Sequence, residues 1–217
     1  MRRDPWFSDR MTAPVFSVSA PDTRMVLYVG KATAGDWPTK KRSGDPIEAR
    51  ISERREAAED FPRDCVESGK YTSAFWTLAK QINELAADRW RLPLGSKLQH
   101  VAWTNMCKIG AKRGNPGRRL FDIQRDLAVK TLRQEVKVYR PELIWFVTWD
   151  YGREAVMEVL DDPTEETWDK SGNCNWIWRR SAEDGLPAAV LSRHPLGAPR
   201  ELVQKWLLAA SELSPSY

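Results

Sequence analysis

An apolar segment that runs into a glycine turn, residues 25–35, constrains the fold of this chain more than any other feature. Residues 25–29 are all apolar, a pattern typical of a strand that is buried on both faces inside a parallel sheet. Gly30 and Gly35 then let the backbone turn sharply and expose amide groups at the end of that strand. Ligands of open α/β sheets bind beyond the carboxyl ends of the strands, so this turn is a candidate site.

Three later apolar runs predict further strands, and helical periodicity separates them. The strands are expected at 100–105, 143–148 and 188–191, with a short edge strand at 15–19. Helices are expected at 47–60, 72–89, 120–138, 154–160 and 199–213. Strands that alternate with helices favour parallel pairing with right-handed crossovers. We therefore expect a three-layer α/β/α sandwich around a central, mainly parallel four-stranded sheet.

Two segments need separate description, a predicted helix and a stretch without a pattern. The helix predicted over 120–138 is expected to turn one set of side chains toward the sheet, namely Leu120, Ile123, Leu127, Thr131 and Leu132. Residues 161–187 are polar and rich in tryptophan, and they show no period that assigns them to a helix or a strand.

Length and composition indicate one soluble domain. The 217 residues fit a flexible tail over 1–13 and a single α/β domain over 14–217. No apolar run approaches the ~20 residues that span a bilayer, and no signal-peptide core is present, so we expect a cytoplasmic protein without a membrane partner. Three scattered cysteines and two histidines offer no metal-ligand spacing, so no metal or cofactor is expected.

The charge distribution favours an anionic partner. The net charge is +4 and the pI is near 9.0. A basic, glycine-containing segment directly follows the strand predicted at 100–105, and with Arg193 it supplies the candidate nucleic-acid contacts: Lys108, Lys112, Arg113, Arg118, Arg119 and Arg193. Arginine and lysine side chains in such a loop can bind phosphates, which predicts DNA, single- or double-stranded, as a partner. The alternative is an ordinary solvated basic face.

Polar residues follow the ends of several predicted strands, which share one edge of a parallel sheet. Asn105 carries an acceptor and two donors and can pair with the edge of a nucleobase. His194 can stabilise a developing anion or transfer a proton near neutral pH. Lys31 can bind a phosphate beside the glycine turn, although a solvated lysine is the simpler interpretation.

At these residues the chain resembles the uracil-DNA glycosylase superfamily, over about residues 25–210. "LYVGKATAGDW" is similar to the glycine-turn motif of that family, and "VAWTNMCKIG" resembles its strand that ends in a base-reading asparagine. "YTSAFWTLAKQINEL" resembles the segment that stacks an aromatic ring on the flipped base, and "VLSRHPLGA" is similar to the histidine-proline loop. The resemblance implies that Gly30, Lys31 and Asn105 contact the base, with Phe75 or Trp76 stacking on it and His194 stabilising the departing base anion.

The resemblance implies hydrolysis of the N-glycosidic bond of a flipped base in DNA, uracil or another damaged base. The first motif departs from the family pattern, because it lacks the carboxylate or asparagine that usually positions the attacking water. Backbone carbonyls, Thr33 or Asp36 are then expected to position that water. The alternative is a catalytically silent nucleic-acid or nucleotide-binding protein of the same fold.

A second alternative starts from the same residues. "VLYVGKA", with "PVF" upstream, resembles the signature of the GIY-YIG nucleases. That resemblance would make Tyr28 and an arginine such as Arg42 catalytic, within a small and mostly antiparallel module.

Overall fold

The predicted strands assemble into one sheet in the computed structural model, which describes residues 25–32, 60–108, 116–148, 151–161, 168–170, 175–178 and 187–213 and positions 49, 53 and 56. The strands are β1 (Val26–Gly30), β2 (Val101–Asn105), β3 (Leu143–Phe146), β4 (Trp168–Lys170), β5 (Asn175–Trp178) and β6 (Ala188–Ser192). Their spatial order is β2-β1-β3-β6-β5-β4.

Strands β2, β1, β3 and β6 are mutually parallel, which confirms the predicted parallel core of the sheet. Strands β5 and β4 extend that core in antiparallel pairing. Both lie within 161–187, the segment that the sequence pattern assigned to neither a helix nor a strand. The sheet is therefore two strands wider than predicted.

Four helices have both ends within the described residues, and they flank the sheet: α1 (Ala74–Trp90), α2 (Arg118–Tyr139), α3 (Arg153–Val159) and α4 (Arg200–Ser211). A π-helical turn, Pro62–Glu67, precedes α1. The side chain of Ser73 caps α1 by accepting a hydrogen bond from the Trp76 amide, as its position before the apolar stripe predicts. In the helix predicted over 47–60, the described positions are helical. The tail 1–13 and the edge strand expected at 15–19 lie outside the described residues.

Alternation along the strands divides the core into two layers. Val26 and Tyr28 of β1 pack with residues of α1 and α4. Leu27 and Val29 point to the opposite face and pack with residues of α2 and α3. This arrangement is the predicted three-layer sandwich, because successive side chains of a strand point to opposite faces of the sheet. No helix in the described part of the chain is long and apolar enough to cross a membrane.

The predicted inward face of α2 is wrong at Ile123 and Leu127, whereas Leu132 is buried as expected. Ile123 and Leu127 are 63% and 53% exposed. The residues that turn toward the sheet start one position later and include two polar side chains: Phe121, Gln124, Ala128, Val129, Leu132, Glu135 and Val136. A pattern read from apolar residues alone misses this face, because its buried glutamate is neutralised by a lysine from another element.

The chain order of the parallel strands creates a crevice at the edge of the sheet. From β1 the chain passes through α1 to β2 on one side, whereas from β3 it passes through α3 to β6 on the other side. The strand order therefore reverses between β1 and β3. In open α/β sheets ligands bind at such a switch point, beyond the carboxyl ends of the strands.

Candidate functional site

The glycine that ends β1 lies directly against the asparagine that ends β2. Gly30 and Asn105 are partners in the parallel register, and both point to the α1 side of the sheet because each follows the alternation of its strand. A Cβ atom placed on Gly30 would overlap Oδ1 of Asn105 and would lie 3.3 Å from two ring carbons of Phe75. The absence of a side chain at Gly30 thus allows the carboxamide and the aromatic ring to meet over the backbone.

The same ring connects this pair to the histidine loop that follows β6. Phe75 and His194 stack with their ring centroids 5.9 Å apart and an interplanar angle of 21°. Phe75 is held in turn by Tyr28, whose ring lies 4.5 Å from it and whose hydroxyl donates to the Phe75 carbonyl at 3.0 Å. The structure therefore brings Gly30, Asn105, Phe75 and His194 together at one edge of the sheet.

Hydrogen bonding determines which nitrogen of His194 carries the proton. The Leu196 amide donates to Nδ1 of His194 at 3.2 Å, so the neutral ring carries its proton on Nε2. Burial lowers the pKa of His194, and the positive charge of Lys31 lowers it further. The imidazole is therefore a neutral Nε2–H donor at neutral pH, a form that can donate a hydrogen bond to a developing anion.

Lys31 lies on the other side of the sheet edge. It follows Gly30 in the alternation, and its Nζ is 5.7 Å from the centre of the Tyr151 ring. The Tyr151 hydroxyl and the Cys107 thiol are 3.2 Å apart, and burial raises the pKa of that thiol to about 11. Burial also raises the pKa of Tyr151, so both groups stay protonated and neutral. Lys31 thus connects the His194 side of the edge with a site around Tyr151.

Two aromatic residues have roles different from those expected. Trp76 is only 5% exposed and packs edge-on against Trp103, with their ring centroids 4.9 Å apart. It belongs to the core, and Phe75 is the aromatic residue that lines the site. Tyr28, the catalytic tyrosine expected of a GIY-YIG nuclease, is fully buried on a strand between two parallel neighbours. This environment does not fit that nuclease, and Arg42 lies outside the described residues.

Lys108 is not one of the solvent-facing basic residues. Its ammonium donates to Glu135 Oε1 and to Thr104 Oγ1, both at 2.7 Å, and its side chain is 8% exposed. Burial lowers the pKa of Lys108 and raises that of Glu135, while their mutual attraction opposes both shifts. The expectation that Lys108 contacts DNA was therefore wrong, because this ion pair connects β2 to α2 inside the protein.

The other predicted basic contacts divide into two groups. Arg118 and Arg119, at the start of α2, and Arg193, beside His194, are exposed. The described residues do not include Lys112 and Arg113, nor do they include Thr33 and Asp36, the two residues expected to position water. In the part of the chain that the structure describes, no three His, Cys, Asp or Glu side chains form a group that could hold a metal ion.

The site around Tyr151 was missed at the level of sequence. Tyr151 precedes Gly152, which adopts a positive φ of 73° and lies so close to Met106 and Phe121 that a Cβ there would overlap both side chains. This close approach packs the start of α3 against α2. A Tyr-Gly pair shortly after a buried strand was the available signal.

Comparison of the chain with known proteins finds no matching family model and no matching curated protein.

Proposed function

We propose that the protein is a divergent member of the uracil-DNA glycosylase superfamily that hydrolyses the N-glycosidic bond of a flipped base in DNA. The observation that carries this proposal is the meeting of Asn105 and Phe75 over Gly30, with His194 stacked on Phe75. These groups supply base-edge hydrogen bonding, an aromatic face and a neutral donor within one short stretch of the sheet edge. A base in the duplex stack presents neither its edge nor its face to such a site, so the base would have to be flipped out.

In the proposed reaction, the oxygen of a water molecule bonds to C1′ of the sugar and the bond from C1′ to the base nitrogen breaks. The electron pair of that bond leaves with the base, which departs as an anion, and the attacking water loses a proton to solvent. His194 Nε2–H would donate a hydrogen bond to the developing anion, an interaction that strengthens as charge accumulates. Asn105 would read the base edge and Phe75 would pack against its face.

The test is release of free base from single- and double-stranded oligonucleotides that carry uracil or hypoxanthine, measured by mass spectrometry. His194→Ala should reduce the rate by about 10² or more, the typical contribution of a positioned donor. Asn105→Ala should weaken the discrimination among bases. Lys205→Ala on the exposed face of α4 is the matched control and should leave the rate unchanged. Base release that persists in His194→Ala would remove the catalytic role of that residue.

A catalytically silent binding protein of the same fold is the alternative. The turn after β1 favours it, because Lys31 and Ala32 stand where the family usually carries a group that positions water. Binding of a base-containing oligonucleotide that depends on Asn105, with no release of any base tested, would support this alternative over the enzyme.

A further inference from the structure

A cleft lies on the opposite side of the sheet edge from His194, between the starts of α2 and α3. Its volume is about 550 Å³, within the range of pockets that hold a small ligand or a single nucleotide. Its lining residue Tyr151 faces Lys31, the residue that follows β1, so the cleft lies near the carboxyl end of that strand, where α/β proteins bind ligands.

The lining of the cleft combines three kinds of chemistry. Tyr151 and Phe121 form an aromatic wall, with their ring centroids 4.9 Å apart. The charged lining residues are two arginines and two carboxylates: Arg118, Arg153, Asp122 and Glu154. Because these charges balance, the cleft does not favour a bare anion. It suits a ligand that carries a phosphate for an arginine, hydrogen-bond donors for the carboxylates and a flat ring for the aromatic wall.

Arg118 is the group best placed to bind a phosphate. It is exposed at the first position of α2, and it makes no hydrogen bond or ion pair with any described residue. The preceding residue, Gly117, has no side chain to cap the helix. An uncapped helix start beside a guanidinium group is favourable for a phosphate oxygen.

Lys31 lies between the cleft and the candidate base site. Its backbone follows Gly30, its ammonium faces the Tyr151 ring, and its charge lowers the pKa of His194. A strand that placed one base against Phe75 and His194 would therefore pass Lys31 before it reached the aromatic wall.

We propose that this cleft binds the nucleotide adjacent to the flipped one, with its phosphate on Arg118 and its base against Tyr151. This inference rests on the proposed function for the identity of the strand. It adds that affinity depends on one neighbouring nucleotide and assigns the residues that bind it.

The test compares the affinity of fluorescein-labelled probes that contain 2′-fluoro-deoxyuridine, whose glycosidic bond resists cleavage. The probes are the single nucleotide, the dinucleotides with thymidine on the 5′ or the 3′ side, and the trinucleotide with both neighbours. Fluorescence anisotropy should show that one neighbour tightens binding at least about fivefold, the contribution of a weak base–aromatic stack. Arg118→Glu should remove that gain.

Lys130→Glu is the matched control, because Lys130 is exposed on the same helix and the change in charge is equal. The inference is overturned if no neighbour tightens binding, or if Arg118→Glu and Lys130→Glu lose the gain equally. If the protein released base from uracil-containing DNA but no neighbouring nucleotide tightened binding, the proposed function would stand and nucleotide binding in the cleft would be refuted. If a neighbouring nucleotide tightened binding in an Arg118-dependent way but no base was released, nucleotide binding in the cleft would stand and the glycosylase activity would be refuted.

Discussion

Gly30→Ala tests the geometry of the site most directly. The added Cβ would overlap Asn105 Oδ1 and lie 3.3 Å from the Phe75 ring. Restoring ordinary van der Waals contact requires the carboxamide to move by roughly 1 Å. Overpacking of this kind costs about 1–3 kcal/mol, and the lower chain entropy of unfolded alanine offsets about 0.4–1 kcal/mol. We expect a net loss of about 1–2 kcal/mol in the free energy of unfolding.

The same displacement should affect function more than stability. A shift of about 1 Å in a positioning group can reduce a rate by about 10²-fold, so Gly30→Ala should lower base release or oligonucleotide affinity strongly while the protein still folds. Urea denaturation and the base-release assay measure the two effects separately. Lys205→Ala is the control, because Lys205 is exposed on α4 and belongs to neither proposed site. If Gly30→Ala matched that control in both assays, the contact of Asn105 and Phe75 over Gly30 would be refuted.

Three further changes have defined outcomes. Lys31→Met should raise the pKa of His194, because it removes a nearby positive charge. The proposed reaction needs the neutral ring, so the acid limb of the pH–rate profile should move to higher pH. If that limb did not move, Lys31 would have no effect on the titration of His194. Lys108→Met should lower the free energy of unfolding by about 3–5 kcal/mol, as measured by urea denaturation, because it leaves a buried carboxylate unpaired. Adding Glu135→Leu should recover most of that loss. A loss below about 1 kcal/mol in Lys108→Met would contradict the buried ion pair. Tyr28→Phe should lower the free energy of unfolding by about 0.5–1.5 kcal/mol, the contribution of one hydrogen bond, as measured by thermal unfolding. An unchanged stability would mean that the hydrogen bond from the Tyr28 hydroxyl to the Phe75 carbonyl contributes nothing.

The positions of the four parallel strands could be predicted because each is a short apolar run that ends at a turn or a polar residue. Once β1 and β2 are taken as parallel, their carboxyl ends must share an edge, and this brings Gly30 close to Asn105. The stacking of His194 on Phe75 needed more information. It depends on how α1 and the loop after β6 pack over the sheet, which is a tertiary relation that no local pattern contains.

The sequence-based errors have two physical causes. Periodicity assigns apolar residues to the core and charged residues to solvent, and α2 violates that rule at Glu135, which is buried because Lys108 pairs with it. Ile123 and Leu127 then remain exposed on the outer face. Strands β4 and β5 were missed for a different reason: they are only three and four residues long, and polar residues such as Asp169, Lys170 and Asn175 leave no continuous apolar run like that of β3.

The alternation of β1 explains why one strand end can serve two sites. Gly30 points toward α1, where its missing side chain makes room for Asn105 and Phe75, and the next residue must point toward α2 and α3. That residue is Lys31, so a positive charge lies between a site suited to a base edge and a cleft suited to a phosphate. The backbone at Gly30 and Lys31 forms a ridge that separates the two. A ligand with a base on one side of this ridge and a phosphate on the other would engage both sites at once. A free base would occupy only the first, which is why the neighbouring nucleotide is the part of the ligand that the proposed cleft tests.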